Sequence, residues 1–353
     1  MVAKKVFLTG STGYIGGDVF DTLHKAHPDW EFSLLVRSED KGKQIQSKYS
    51  NVKLVIGSLD DSKVIEDAAS NADIVVHTAD SSDHAGAAKA IAKGLKSGHS
   101  SSNPGYWIHI SGTGILCWYD TDNKRYGEGP LLDQAYDDLE GVDRVVSLPD
   151  TAFHRDVDKL VLAAAADDPD AVKVAIVCPP TIYGHGNGPV NRRSRQIPGM
   201  IKATLEHGTA FKLGAGKTEW DNVHVNDLAR LIDLLATDAA STDSKSEEKE
   251  IWGSVGYHFC ESGTHRWSEV SELIAKEAHS QGYLNKTETK QIDDKEALEI
   301  NGFEALTWGL NSKGKAKRAR KYLGWEPKKQ SLEASIPELV EREAEKLGVE
   351  KKR

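Results

Sequence analysis

The stretch Val6-Phe7-Leu8-Thr9-Gly10-Ser11-Thr12-Gly13-Tyr14-Ile15-Gly16-Gly17 decides the fold. A short apolar run of strand character meets glycines at positions 10, 13 and 16, and an amphipathic run over 15–26 follows. A turn without side chains lets backbone N–H groups approach a pyrophosphate. The N-terminus of the next helix adds positive dipole character, and Gly16 allows that helix to pack closely on the strand. Strand, glycines and helix in this order predict a dinucleotide-binding unit.

The pattern continues outward. Apolar runs at 6–9, 32–36, 52–56, 74–78, 107–111 and 172–177 alternate with helical patterns at 15–26, 62–69 and 85–98. Alternation of this kind predicts an α/β fold with a doubly wound parallel sheet of Rossmann type. From about residue 180 Pro and Gly become dense and connections lengthen. The expected organisation is a dinucleotide-binding domain over 1–180, to which part of 220–255 returns. A smaller, discontinuous lobe over 181–353 is expected to bind substrate and to carry C-terminal helices at 313–322 and 332–347. The polar stretch 238–249 reads as a surface loop.

Composition excludes several classes. The chain of 353 residues carries 45 Lys and Arg against 54 Asp and Glu, a net charge of −9, which argues against nucleic acid as a partner. No run approaches the roughly 20 apolar residues of a membrane span, so no membrane association is expected. The first ten residues run into glycine before a signal-peptide core forms, which points to the cytoplasm. Cys117, Cys178 and Cys260 are isolated, and no HExxH or paired Cys/His spacing occurs, so no metal is expected.

The end of the second strand selects the cofactor. An acid there accepts hydrogen bonds from a ribose 2′-hydroxyl, whereas an arginine suits a 2′-phosphate. The sequence reads Leu34-Leu35-Val36-Arg37-Ser38-Glu39-Asp40-Lys41. Arg37 is the first polar residue past the strand, Ser38 adds a hydroxyl, and Lys41 and Lys43 add charge. NADP(H) is therefore the preferred cofactor, with NAD(H), selected by Glu39, as the alternative.

These residues together resemble the extended short-chain dehydrogenase/reductase family, in its epimerase/dehydratase branch. Thr9-Gly10-Ser11-Thr12-Gly13-Tyr14-Ile15-Gly16 resembles the family's TGxxGxxG. Gly57-Ser58-Leu59-Asp60 sits where the family has an adenine-contacting Gly-Asp-Leu, with Ser58 in place of the acid. Asp73-Ile74-Val75-Val76-His77-Thr78-Ala79 resembles the fourth-strand motif lining the cofactor, and Ile108-His109-Ile110-Ser111-Gly112-Thr113-Gly114 the strand that carries the catalytic hydroxyl. Cys178-Pro179-Pro180-Thr181-Ile182-Tyr183-Gly184 resembles the turn at the nicotinamide end. Trp220-Asp221-Asn222-Val223-His224-Val225-Asn226-Asp227-Leu228-Ala229 is similar to the substrate-domain signature. The resemblance implies cofactor contacts from the glycine turn (Gly10, Thr12, Gly13, Tyr14, Ile15, Gly16), Arg37, Ser38, Ser58, Leu59, Thr78, Ala79, Ser111, Pro179, Pro180 and Ile182. It also implies a homodimer formed through a helix pair.

The family's catalytic pair is a tyrosine four residues before a lysine, which one helical turn brings to the same face. Here the helix reads Phe153-His154-Arg155-Asp156-Val157-Asp158-Lys159. Lys159 matches the ribose-binding lysine, but Arg155 stands in the tyrosine's place and cannot cycle a proton near neutral pH. The catalytic hydroxyl falls to Thr113, because Gly112 occupies the expected position. Three substitutes for the tyrosine follow. His154 offers an imidazole that can take and give a proton; Tyr183 or Tyr119 can reach in from elsewhere; or Arg155 only polarises an oxyanion.

The expected walls of the substrate site are Tyr183, Asn191 and Arg195, with Arg192 and Arg193 able to meet a diphosphate. The insertion over 117–150 mixes aromatics with acids, and reads either as a pocket wall or as an acidic surface segment pinned by its aromatics. The expected function is an NADP(H)-dependent oxidoreductase acting on a small carbonyl or alcohol. The alternatives are a sugar-nucleotide epimerase or dehydratase that retains its cofactor, and a non-catalytic NADP(H)-binding sensor or scaffold.

Overall fold

The computed structural model describes residues 3–241 and 248–352. Among them, seven strands form one parallel sheet in the spatial order Tyr257–Phe259, Val172–Cys178, Gly105–Ile110, Ile74–His77, Lys5–Thr9, Glu31–Val36, Val52–Ile56. Chain order reverses on either side of Lys5–Thr9, which leaves a crevice above the C-terminal ends of this strand and Ile74–His77. The central strands are apolar throughout, as a sheet covered on both faces requires; Val6, Phe7, Leu8, Ile74, Val75 and Val76 are all buried.

The helix Tyr14–Ala26 packs against Val225–Ala240, so a segment from beyond residue 220 covers the large sheet. The seventh strand, Tyr257–Phe259, was not among the predicted ones. Three residues are too few to show a periodic pattern, and it forms only by pairing with Val172–Cys178.

A second hydrophobic core gathers Tyr183, Met200, Trp220, Trp267, Trp308 and the face of Leu332–Leu347. Around it lie a three-stranded sheet of Gly263–Arg266, Glu219–His224 and Thr181–Tyr183 and a pair formed by Thr289–Ile292 and Ala210–Leu213. The helix expected over 313–322 is shorter than its pattern. Lys313–Lys315 is a strand paired with Ala135–Asp137, and the helix runs only over Arg318–Leu323. The Gly314 N–H donates to Asp221 at 2.7 Å, which commits this backbone to an extended path. The polar stretch begins as the last turn of Val225–Ala240 and ends in the short helix Glu248–Ile251, while residues 242–247 lie outside the described ones.

The insertion over 117–150 is firmly held. Buried Asp120 accepts hydrogen bonds from Arg125 (2.8 Å), Gln134 (2.9 Å) and both the backbone (3.0 Å) and side chain (2.7 Å) of Asn311. Asp138 receives the backbone N–H groups of Phe259, Lys317 and Arg318, each at 2.8 Å. Two of its acids thus anchor the segment to the C-terminal region. Among the described residues, no helix is long and apolar enough to cross a membrane.

Candidate active site

The glycine turn has the shape its spacing predicts. Gly10 takes φ +85°, a conformation that favours glycine, and the Gly13 N–H bonds back to its carbonyl at 2.8 Å. A Cβ on Gly16 would lie 2.2 Å from Thr78 Oγ1 and 2.4 Å from the Gly10 carbonyl oxygen, so only glycine permits this packing. Gly13, the N-cap of Tyr14–Ala26, offers no capping side chain, so the first N–H groups of the helix remain available to a ligand.

Above the turn lies a cleft of about 750 Å³. Gly10, Thr12, Gly13, Tyr14, Ile15, Gly16, Arg37, Ser58, Leu59, Thr78, Ala79, Asn191 and Arg195 all line it. The bare turn, the open helix N-terminus and the cationic far end fit a dinucleotide. Lys41 sits beside Arg37 there, and Lys346 reaches the same cleft from Leu332–Leu347. Ser38 is not in the wall: its hydroxyl caps the helix Glu39–Gln46 by accepting from the Lys41 N–H at 3.4 Å. The Ser58 hydroxyl is also occupied, donating to Asp61 at 3.0 Å.

A second chamber of about 500 Å³ opens off this cleft, sharing Tyr14, Ile15, Asp80 and Arg195 with it. Ser111, Thr113, His154, Pro179, Pro180 and Ile182 line it, together with Asp83, Phe153, Trp220 and Phe303. Thr113 Oγ1 is buried there with no hydrogen-bond partner among the described residues.

His154 dominates this chamber. It precedes the helix Arg155–Asp167 in a left-handed conformation, φ +67°. Its Nδ1 lies 2.7 Å from Asp83 Oδ1. The neighbouring imidazole holds the Asp83 carboxyl below the usual carboxylate range. An ionised carboxylate only accepts, so Nδ1 carries the hydrogen, which leaves Nε2 as the ring's exchangeable nitrogen in a residue that lines the chamber. A Cβ on either Gly112 or Gly114 would come within 3.3 Å of Nε2, so the two glycines flanking Thr113 make room for the ring.

The expected pair Arg155 and Lys159 does not reach the chamber. The Arg155 guanidinium is turned into the protein, where Nε donates to the Leu148 carbonyl at 3.0 Å and a terminal nitrogen to that of Val146. The Lys159 amine lies on the surface, 2.8 Å from Asp150. Each helical residue rotates about 100°, so the inward face is set one residue earlier, at His154 and Asp158. Asp158 is fully buried and accepts from the Tyr257 hydroxyl at 3.0 Å. Burial pushes its carboxyl up to about 6, against the pull of the Ser111 and Tyr257 hydroxyls.

Three further expectations are corrected. Tyr183 packs in the second core and donates its hydroxyl to the Gln330 carbonyl at 2.8 Å. Tyr119 is absent from the chamber wall, to which the 117–150 segment contributes Cys117. Arg195 lines both cavities as expected, but the diphosphate-binding role expected of the three arginines is corrected because each is engaged: Arg192 with the Gly188 carbonyl (2.9 Å), Arg193 with Glu343 (2.5 and 2.8 Å) and Arg195 with Glu304 (2.6 and 2.9 Å). Sequence reasoning missed Asp83 and Phe303, which approach His154 and Phe153 only through the tertiary fold; the flanking glycines 112 and 114 were the available local signal.

Comparison with known proteins agrees with this fold. A family model described as NAD(P)H-binding matches residues 10–101, and one described as the NAD dependent epimerase/dehydratase family matches residues 154–248. A curated protein of Acremonium sp named Oxidase ucsJ is 37% identical, the match covering 99% of this chain and 100% of that protein. Among solved structures, dTDP-glucose 4,6-dehydratase of Bacillus anthracis in complex with NAD superposes with a TM-score of 0.66 at 16% identity, covering 98% of this chain and 97% of that one. UDP-glucose 4-epimerase of Thermotoga maritima gives 0.61 at 15% identity, with 97% and 99% covered. At such identities the solved structures establish the fold alone. The full-length relative, the two family models and the glycine-turn fold together place the chain in the NAD-dependent epimerase/dehydratase family, the extended short-chain dehydrogenases/reductases.

Proposed function

We propose that this protein is an NADP(H)-dependent oxidoreductase acting on a small carbonyl or alcohol, with His154, oriented by Asp83, replacing the family's tyrosine as the proton-transfer group. The observation that carries this reading is the His154–Asp83 pair in the wall of the chamber, a wall it shares with Thr113, whose buried hydroxyl has no partner among the described residues.

When bound, a nicotinamide cofactor would supply or accept the hydride. The amides of the glycine turn and the N-terminus of Tyr14–Ala26 bind its pyrophosphate. Arg37 and Lys41 recognise a 2′-phosphate, which supports NADP(H) over NAD(H). The Thr113 hydroxyl donates to the substrate oxygen. His154 Nε2 gives that oxygen a proton during reduction and removes it during oxidation. Asp83 keeps the Nδ1 hydrogen in place and stabilises the imidazolium when it forms, the role a carboxylate plays beside a catalytic histidine.

The relative named an oxidase supports the redox class. Arginines already held by Glu343 and Glu304 do not favour the sugar-diphosphate reading. The test is NADPH consumption across a panel of carbonyl compounds by the wild type and His154→Gln. Turnover by the wild type, reduced about 10²–10³-fold in the variant, is expected. Equal rates would overturn the reading, as would tight NADPH binding with no turnover on any compound.

A further inference from the structure

Resting on the oxidoreductase reading above, we infer that the chamber selects an uncharged substrate with an apolar, ring-bearing body, and that Phe303 is its specificity-determining residue. Two independent properties of the wall lead there.

The first is charge. Asp80, Asp83 and Glu304 line the chamber, whereas its cationic side chains among the described residues are Arg195 and, when protonated, His154. Arg195 is held in a two-point contact by Glu304, and His154 is held by Asp83. An anionic substrate would therefore meet net negative charge and no unpaired cation. It would lose hydration without gaining a partner. Asp80, the remaining acid, is exposed to solvent, so its attraction for a cationic substrate is screened.

The second is shape. Trp220, Leu310, Ile182 and the pair Phe153–Phe303 give the wall its apolar area, in a chamber of about 500 Å³ that the substrate would share with a nicotinamide ring. Phe153 and Phe303 meet edge to face with ring centroids 5.4 Å apart. Phe303 is nevertheless 48% exposed, so part of its ring surface remains open to a ligand. It follows Gly302, whose φ of +61° breaks the helical path of Asp294–Thr307 and sets the ring at the chamber wall. An aromatic substrate body stacked on this ring would bury surface that is now wet.

The experiment is calorimetric titration of the NADP⁺-loaded protein, which reports binding whether or not turnover occurs. The probes are 2-acetonaphthone, its carboxylate analogue 6-acetyl-2-naphthoic acid, and UDP-glucose. We expect the neutral ketone to bind, the carboxylate to bind at least tenfold more weakly, and UDP-glucose to give no heat. Phe303→Ala, a change at a half-exposed site, is expected to weaken the ketone at least fivefold while leaving NADP⁺ affinity within twofold. The inference is overturned if the ketone gives no heat, if the carboxylate or UDP-glucose binds as tightly as the ketone, or if Phe303→Ala binds the ketone unchanged. Ketone binding without NADPH consumption would instead preserve the substrate class and remove the hydride-transfer reading.

Discussion

His154 Nδ1 stands 2.7 Å from Asp83 Oδ1, joining the start of one helix to the loop after the fourth strand across 71 sequence positions. A carboxylate in that position fixes the orientation of the ring and its Nδ1 hydrogen. Asp83→Asn should therefore lower kcat about 10–100-fold while leaving NADPH affinity unchanged, because Asp83 is absent from the dinucleotide cleft. Steady-state kinetics with a titration of NADPH separates the two quantities. A loss confined to cofactor affinity would contradict the assigned role.

Lys159 is the family's ribose-binding position by spacing, yet its amine pairs with Asp150 at the surface. Exposed pairs of this kind contribute about 0–1 kcal/mol. Lys159→Ala should leave kcat, cofactor affinity and melting temperature close to wild type. A large loss of activity would mean that this side chain swings inward during catalysis.

The adenosine end offers a selectivity test. Arg37→Asp removes a cation from the cleft and adds an acid at the position where a 2′-hydroxyl is read. NADPH affinity should fall at least tenfold and the preference should move toward NADH, as measured by titration with both. Unchanged NADPH affinity would remove Arg37 from cofactor recognition.

Gly16 tests the packing behind the turn. A methyl group there would collide with Thr78 Oγ1 and the Gly10 carbonyl. Gly16→Ala should cost about 1–3 kcal/mol of stability and weaken NADPH binding, since the helix must move away from the strand. Thermal melts with and without NADPH check both effects.

Asp158 gives a pH signature. Its folded-state value of about 6 lies above the ordinary 3.8, so the folded protein holds this proton more tightly than the unfolded chain. Its contribution to stability is full below about pH 4 and diminishes as pH rises to about 6. Asp158→Asn cannot titrate. Urea denaturation should show its stability relative to wild type increasing by up to about 2–3 kcal/mol between pH 4 and pH 7. A difference independent of pH would contradict this assignment.

The nucleotide half of the site was legible because it is local. The spacing of Gly10, Gly13 and Gly16 between a strand and a helix carries its geometry within seven residues, and Arg37 follows directly from the end of the next strand. The catalytic half was not. Spacing of four residues fits Arg155 and Lys159 as well as His154 and Asp158, and which pair faces inward depends on the phase of one helix. That phase is set by the left-handed conformation of His154 and by the carbonyls of Val146 and Leu148 that hold Arg155. Asp83 carried no local signal, because its loop meets His154 only after the parallel sheet has assembled. Tyr183 was misassigned for a related reason: the nicotinamide-side turn has a buried face as well as an open one, and its hydroxyl is taken by Gln330.

The most direct measurement is a crystal structure of the protein soaked with NADP⁺. The account predicts pyrophosphate density on the amides of residues 10–16, the nicotinamide ring in the chamber with its reactive carbon facing the space between Thr113 Oγ1 and His154 Nε2, and Lys159 still paired with Asp150. Nicotinamide density outside that chamber, or the Lys159 amine on the ribose with His154 turned away, would contradict it.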